Sequence, residues 1–136
     1  MTFVVDASVI GAWLIEDEAT SRTEALLDRY AREGARSPNI IVHEIRSITI
    51  KAVRRKRLTV GDAELLLRRF EALRLGDAGV ADSQDVFRLA LRHGLTAYDA
   101  AYLAAAMSER LPLATLDTSL RAAAAKEGVL LLPERT

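Results

Sequence analysis

Apolar positions follow two rhythms along this chain. Phe3-Val4-Val5, Leu113-Ala114-Thr115-Leu116 and Val129-Leu130-Leu131-Leu132 are short, largely continuous apolar runs, the pattern of strands buried on both faces. Elsewhere apolar residues return every three or four positions, the helical period. Ser8 is placed to cap a helix carrying Val9, Ile10, Trp13 and Leu14. A second helix is predicted over residues 21–32, with Ala25, Leu26, Leu27 and Tyr30 inward and Gly34 as its stop. Ser37-Pro38 then introduces a longer helical stretch through Ile40, Ile41, Ile45, Ile48 and Val53. Its β-branched residues lower helix propensity, yet the spacing fits a period of about 3.6 better than 2.

Thr59 and Asp62 have capping-box spacing, with Asp replacing the usual Glu or Gln, ahead of Leu65, Leu66, Leu67, Phe70 and Leu73. Gly76-Asp77-Ala78-Gly79 reads as a loop, and Asp82 or Ser83 opens a helix that Gly94 closes. Thr96 begins a helix rich in alanine (Ala97, Ala100, Ala101, Ala104, Ala105, Ala106), whose small side chains admit a close neighbour; Pro112 ends it. A last helix is expected over residues 119–126, with Gly128 before the final strand. Buried strands alternating with helices give an α/β class: a central parallel β-sheet flanked by helices. In such folds ligands bind beyond the carboxyl ends of the strands. Asp6 and Asp117 each directly follow a predicted strand.

Length and composition narrow the picture. A chain of 136 residues without a Pro/Ser-rich linker or repeat reads as one domain over residues 1–136. Without cysteine it has no disulfide framework, thiolate metal site or cysteine nucleophile. No apolar run approaches the roughly 20 residues of a membrane span, and Met1-Thr2-Phe3-Val4-Val5-Asp6 does not read as a signal peptide. A soluble, cytoplasmic protein with no membrane partner is therefore expected. Its 19 basic and 19 acidic residues cancel, but their distribution does not. Arg46, Lys51, Arg54, Arg55, Lys56 and Arg57 follow one another with no acid among them, whereas Glu16, Asp17 and Glu18 cluster apart. Such a run is either a solvated helix face or a patch able to meet a polyanion.

Four acids stand out by position: Asp6, Glu44, Asp99 and Asp117. Each has a purely structural use available. Asp6 can receive backbone N–H groups at a strand-to-helix turn, Asp117 can cap the last helix, Asp99 can pair with Thr96 in a variant capping box, and Glu44 can be an exposed helix residue. A parallel architecture would, however, bring all four to the same edge. Convergent carboxylates repel and resist desolvation unless a cation compensates. An all-oxygen donor set suits a hard ion, Mg²⁺ or Mn²⁺, rather than Zn²⁺.

These residues stand in patterns that resemble the PIN-domain ribonucleases, and within them the VapC-type toxins of toxin–antitoxin pairs. The resemblance runs through Val4-Val5-Asp6-Ala7-Ser8, Ser37-Pro38 to Glu44, and Leu95-Thr96-Ala97-Tyr98-Asp99-Ala100-Ala101-Tyr102-Leu103-Ala104. It continues through Leu113-Ala114-Thr115-Leu116-Asp117 and Gly128-Val129, so it spans nearly the whole chain. It implies a PIN domain in which Asp6, Glu44, Asp99 and Asp117 are catalytic and Asp6, Asp99 and Asp117 help hold Mg²⁺, with Mn²⁺ able to substitute. Glu44 would position the ion or its water and assist proton transfer. Ser8 and Thr115, each two residues from an aspartate, would support the ligands. Ser47 stands where the family often has Asn, and His43 lies outside the pattern.

The activity implied is hydrolysis of RNA phosphodiester bonds by a metal-dependent endoribonuclease toxin, neutralised by a VapB-type antitoxin and assembling as a homodimer. Arg46, Lys51, Arg54 and Arg55 would then guide the RNA backbone, with Arg46 nearest the site. The alternative is a non-catalytic binding module of the same fold, acting through partner contacts; it predicts loss of an acid, and all four are present. Other enzyme classes fit poorly. A haloacid-dehalogenase-like phosphatase wants Asp-x-Asp where position 8 is Ser, a phosphate-binding loop wants glycines where Asp6-Ala7-Ser8 stands, and no Gly-x-Ser-x-Gly elbow is present.

Overall fold

The computed structural model describes residues 1–134; Arg135 and Thr136 of the expected domain lie outside the described residues. The chain begins with strand β1 (Val4–Val5), helix α1 (Ala7–Leu14), a 3₁₀ turn (Glu16–Glu18), α2 (Ser21–Glu33), β2 (Arg36–Ser37), α3 (Ile40–Arg54) and α4 (Val60–Ala72). It continues with β3 (Gly76–Asp77), α5 (Ser83–His93), α6 (Ala97–Glu109), β4 (Leu113–Ala114), α7 (Thr118–Lys126) and β5 (Leu131–Leu132).

All five strands run parallel, in the order β3-β2-β1-β4-β5. Val4 sits between Arg36 on one side and Leu113 on the other. The two central strands, β1 and β4, are fully buried because helices cover both faces. Strands β2 and β3, on one side of β1, depart from the sequence expectation. Gly76 and Asp77, expected in a loop, pair with Arg36 and Ser37. Two exposed residues without an apolar run carry nothing to reveal them; their pairing is a backbone matter.

Helix boundaries follow the caps. Thr59 accepts from Asp62 N–H at 3.1 Å and Asp62 Oδ2 accepts from Thr59 N–H at 3.3 Å, closing the expected capping box. Gly94 ends α5 in the left-handed conformation, which its missing Cβ permits at no steric cost. The expected cap of α1 shifts by two residues: Asp6, not Ser8, is the N-cap, and its carboxylate takes the Ser8 and Val9 N–H groups. On α2, Ala25 is exposed rather than inward, and Thr23 and Leu26 face the core.

α6 is the central helix. Its Ala100, Ala104, Ala105 and Ala106 are buried, letting it lie close against β1 and β4. Inserting methylenes there strains a packed contact. Ala100→Leu is expected to lower unfolding free energy in urea by about 1–3 kcal/mol. Two helices separate β2 from β3: α3 leaves the carboxyl edge of the sheet and α4 returns the chain to the amino edge, where β3 starts. No helix of the described residues is long and apolar enough to cross a membrane.

Candidate active site

The carboxyl ends of the strands gather the turns in which the acids lie. Asp6 follows β1 and caps α1; its own N–H donates to Ala114 O of β4 at 3.1 Å. Asp117 caps α7 through Leu120 N–H at 2.8 Å. Asp99 lies in the first turn of α6, where its N–H donates to the Thr96 hydroxyl at 3.1 Å. Three of the four acids therefore stand at helix N-termini, where unpaired N–H groups and the helix dipole favour negative charge. Their structural uses are real and are also what positions them.

Asp6 is the most constrained. Its side chain is 3% exposed yet accepts four hydrogen bonds. Oδ1 receives Ser8 N–H at 3.0 Å, Ser8 Oγ–H at 2.6 Å and Val9 N–H at 3.3 Å. Oδ2 receives the Thr115 hydroxyl. The two hydroxyls are held in turn by the backbone. Leu116 N–H donates to Ser8 Oγ at 2.9 Å, and Asp117 N–H donates to Thr115 Oγ1 at 3.0 Å. Ser8 and Thr115 thus stitch the β1 turn to the β4 turn through one carboxylate. An ionised carboxylate offers about four lone-pair positions, so Oδ1 is filled and Oδ2 keeps one.

Burial still dominates its ionisation. Desolvation pushes the Asp6 carboxyl up to about 6, against the pull of the Ser8, Thr115 and Val9 hydrogen bonds. Glu44 and Asp99, both half-buried, are also raised. For Glu44 the causes are burial and then the charge of Asp99, offset by the Tyr102 hydroxyl; for Asp99 they are burial and the charge of Asp117, offset by Thr96. The acids thus feel one another in a chain, Glu44 to Asp99 to Asp117, while the Tyr102 phenol is raised first by burial and then by Glu44, Asp6 and Asp99 beside it.

Each donor to Asp6 is testable. Thr115→Val keeps the shape and removes the hydroxyl from a buried carboxylate. A cost of about 1–3 kcal/mol in unfolding free energy is expected. The loss should be larger at pH 7.5 than at pH 5, because the hydroxyl serves the ionised form.

Fit to a divalent cation depends on both geometry and donor chemistry. Among the described residues, no three His, Asp or Glu side chains stand close enough together to enclose an ion as now disposed. The chemistry nevertheless suits one. The donors are carboxylate oxygens only, three carboxyls are held above their ordinary values by burial, two of them also by a neighbouring carboxylate, and Glu44 Oε1 is buried without a hydrogen-bond partner. A hard cation answers each of these features.

Other expected residues fall farther away. Two positions beyond Glu44, Arg46 turns to the opposite side of α3 and lines a groove with Val42, Leu67, Phe70 and Glu71. Arg46 is thus on a different face of α3 from Glu44. Ser47 is exposed, and its side chain makes no hydrogen bond with the described residues. Lys51, Arg54 and Arg55 lie along α3 and at its end, with Lys51 about two helical turns past Glu44, roughly 10 Å along the axis. The basic run is not wholly unopposed. Arg57 pairs with Glu18 at 3.1 Å and Asp17 at 3.8 Å, so folding brings part of the acidic cluster against it; the Glu16 side chain lies outside what is described. His93 is structural: its Nε2 lies 2.6 Å from Glu127, which Arg92 also contacts at 2.9 Å, tying α5 to the end of α7. His43 shows no link to the acids.

Tyr102 is the residue that sequence reasoning missed. It was visible only as part of a motif, although its place three residues after Asp99 puts both on one face of a helix.

Comparison with known proteins identifies the family. The family model described as PIN domain matches residues 3–126. A curated relative, "Ribonuclease VapC3" of Pyrobaculum aerophilum, is 34% identical over 124 residues, covering 88% of this chain and 92% of the relative. Among solved structures, PAE2754 from Pyrobaculum aerophilum superposes with a TM-score of 0.74 at 26% identity, covering 96% of this chain and 92% of that one. FitAcB from Neisseria gonorrhoeae gives a TM-score of 0.70 at 24% identity, covering 98% of both chains, a likeness of fold. A match over residues 3–126 takes in strands β1 to β4, every helix and all four acids, and the chain belongs to the PIN-domain family.

Proposed function

We propose that this protein is a metal-dependent endoribonuclease, the toxin of a toxin–antitoxin pair. The observation that carries the reading is the carboxyl-edge acid cluster. A buried, fully supported Asp6, raised by burial, stands with Glu44 and Asp99, which are raised by burial and then by the charges of Asp99 and Asp117 respectively. The similarity to a relative named ribonuclease supports the substrate class.

In this reading Asp6 and Asp99 hold a Mg²⁺ or Mn²⁺ ion, with Asp117 assisting through its proximity to Asp99. Such an ion, when bound, supplies charge neutralisation for a phosphodiester and a lowered pKa for its water. The chain's own residues do the rest. Ser8 and Thr115 fix the Asp6 carboxylate so that Oδ2 faces the cluster. Glu44, already shifted upward by burial, takes a proton near neutral pH more readily than an exposed glutamate would. Lys51, Arg54 and Arg55 lie along α3 and at its end and offer positive charge to an RNA backbone. The partners proposed are RNA as substrate, a VapB-type antitoxin, and a second copy of the chain in a homodimer.

Cleavage of a mixed RNA pool tests the reading. The protein, freed of antitoxin, is expected to cut with Mn²⁺ or Mg²⁺ and to stop in EDTA. Folded Asp99→Asn should lose about a hundredfold or more in rate, since it removes a charge that must balance the cation. Cutting that survives EDTA and this substitution would overturn the mechanism and leave a binding module of the same fold.

A further inference from the structure

The mechanism above makes no use of the Tyr102 phenol, although it stands at the floor of the acid cluster. The residue is 1% exposed, and its hydroxyl is buried with no hydrogen-bond partner of ordinary geometry. Glu44 Oε1 is buried and unpartnered in the same way. The hydroxyl lies near enough to the Glu44 carboxylate to stabilise it, although neither atom completes a hydrogen bond of ordinary geometry. A buried hydroxyl left unpaired is costly, and phenylalanine would fill the same space without that cost.

The other acids have their own donors. Asp6 is served by Ser8, Val9 and Thr115, Asp117 by Leu120 N–H, and Asp99 by Thr96. For Glu44 the one donor in reach among the described residues is Tyr102. A phenol is an apt choice, being a neutral O–H donor on a rigid, packed ring, and it adds no charge to a site meant for a cation.

We propose that Tyr102 is a positioning residue for Glu44: its hydroxyl donates to the Glu44 carboxylate and fixes the direction in which that carboxylate faces the acid cluster. This rests on the nuclease reading above and deepens it. Tyr102 touches neither the phosphodiester nor the cation and acts through Glu44.

The test uses the full chain carrying Tyr102→Phe, Glu44→Gln, or both. Urea unfolding in EDTA should show Tyr102→Phe still unfolding in one cooperative transition, so that any loss of binding or rate is not a loss of fold. Calorimetric titration with Mn²⁺ alone should show affinity weakened about tenfold or more, the scale of losing a group that orients a ligand. In RNA cleavage, kcat should fall about 10–100-fold with KM unchanged. The decisive comparison is the double variant. In the Glu44→Gln background, Tyr102→Phe should add no further loss, because the hydroxyl acts only through Glu44. Unchanged Mn²⁺ affinity and kcat in Tyr102→Phe, or a second loss of equal size in the double variant, would overturn the proposal while leaving the acid site standing. Unaltered binding and cleavage in Glu44→Gln would instead overturn the role of Glu44 on which it rests.

Discussion

Asp6→Asn is expected to cut RNA about a hundredfold or more slowly than wild type and yet to unfold at a higher temperature in EDTA at neutral pH. Both effects have one cause. The loss of rate follows from removing the most enclosed charge of the proposed cation site. The gain in stability follows from burial, which raises the Asp6 carboxyl from 3.8 to about 6. A carboxyl raised on folding binds its proton more tightly in the folded state. Its stabilising contribution is therefore complete below pH 3.8 and is lost as the pH rises through about 6. At pH 7.5 the ionised form costs about 3 kcal/mol, since each tenfold gain in proton affinity corresponds to roughly 1.4 kcal/mol. Asparagine avoids that cost and keeps the contacts: its oxygen accepts from Ser8 and Val9, and its amide donates to the Thr115 hydroxyl, which can reverse its role. Circular-dichroism melts of the two proteins at pH 7.5, beside the cleavage assay, check both halves. A variant that is inactive but less stable than wild type would contradict the account.

Divalent cations should stabilise the protein, and the more so in base than in acid. Asp6, Glu44 and Asp99 are all raised, so each opposes folding as it ionises. A bound cation reverses that opposition, and at a concentration a hundred times its dissociation constant it adds about 2.7 kcal/mol. Below pH 5 protons compete for the same oxygens and the gain should vanish. Two other carboxylates act in the opposite sense. Glu33 is lowered by its hydrogen bond from the N-terminal ammonium, and Glu127 by its hydrogen bond from His93 and then Arg92. Their contribution is present above the ordinary glutamate range and lost in acid. Without the ion, stability should therefore peak in mildly acidic solution. With Mn²⁺, the maximum should move toward neutral pH. Melting temperatures across pH 4.5–8.5, with EDTA and with Mn²⁺, would show the change; identical profiles would refute it.

The sequence carries the fold most clearly where burial is complete. Val4-Val5 and Leu113-Ala114 are apolar because both faces are covered, so a run of side chains announces them. β2 and β3 lie together on one side of β1, and their two-residue ladders are made by backbone groups that every residue possesses. Nothing in Arg36-Ser37 or Gly76-Asp77 marks them. The four acids were legible by position, but their relation was not. Whether Asp117 bears on Asp99, or Asp99 on Glu44, depends on how α6 and α7 pack beneath the edge. Arg46 shows the limit from the other side, since two residues along a helix suffice to turn it away from Glu44. Tyr102 was hidden because a buried tyrosine in an alanine-rich helix looks like core until its hydroxyl is traced to a carboxylate.

The hydroxyl stitch at Asp6 has a consequence in time. Its partners Ser8 and Val9 leave the ribosome with it, but Thr115 and Leu116 come 109 and 110 residues later. At about 5–20 residues per second that interval is roughly 5–20 s of synthesis. For most of it the nascent chain holds Asp6 and Glu44 but lacks β4, the strand beside β1 on which the β1 turn closes. The acid cluster is thus assembled last, after nearly all of its chain has been made. A protein that cuts RNA would in this way be inert while still attached to the RNA that encodes it.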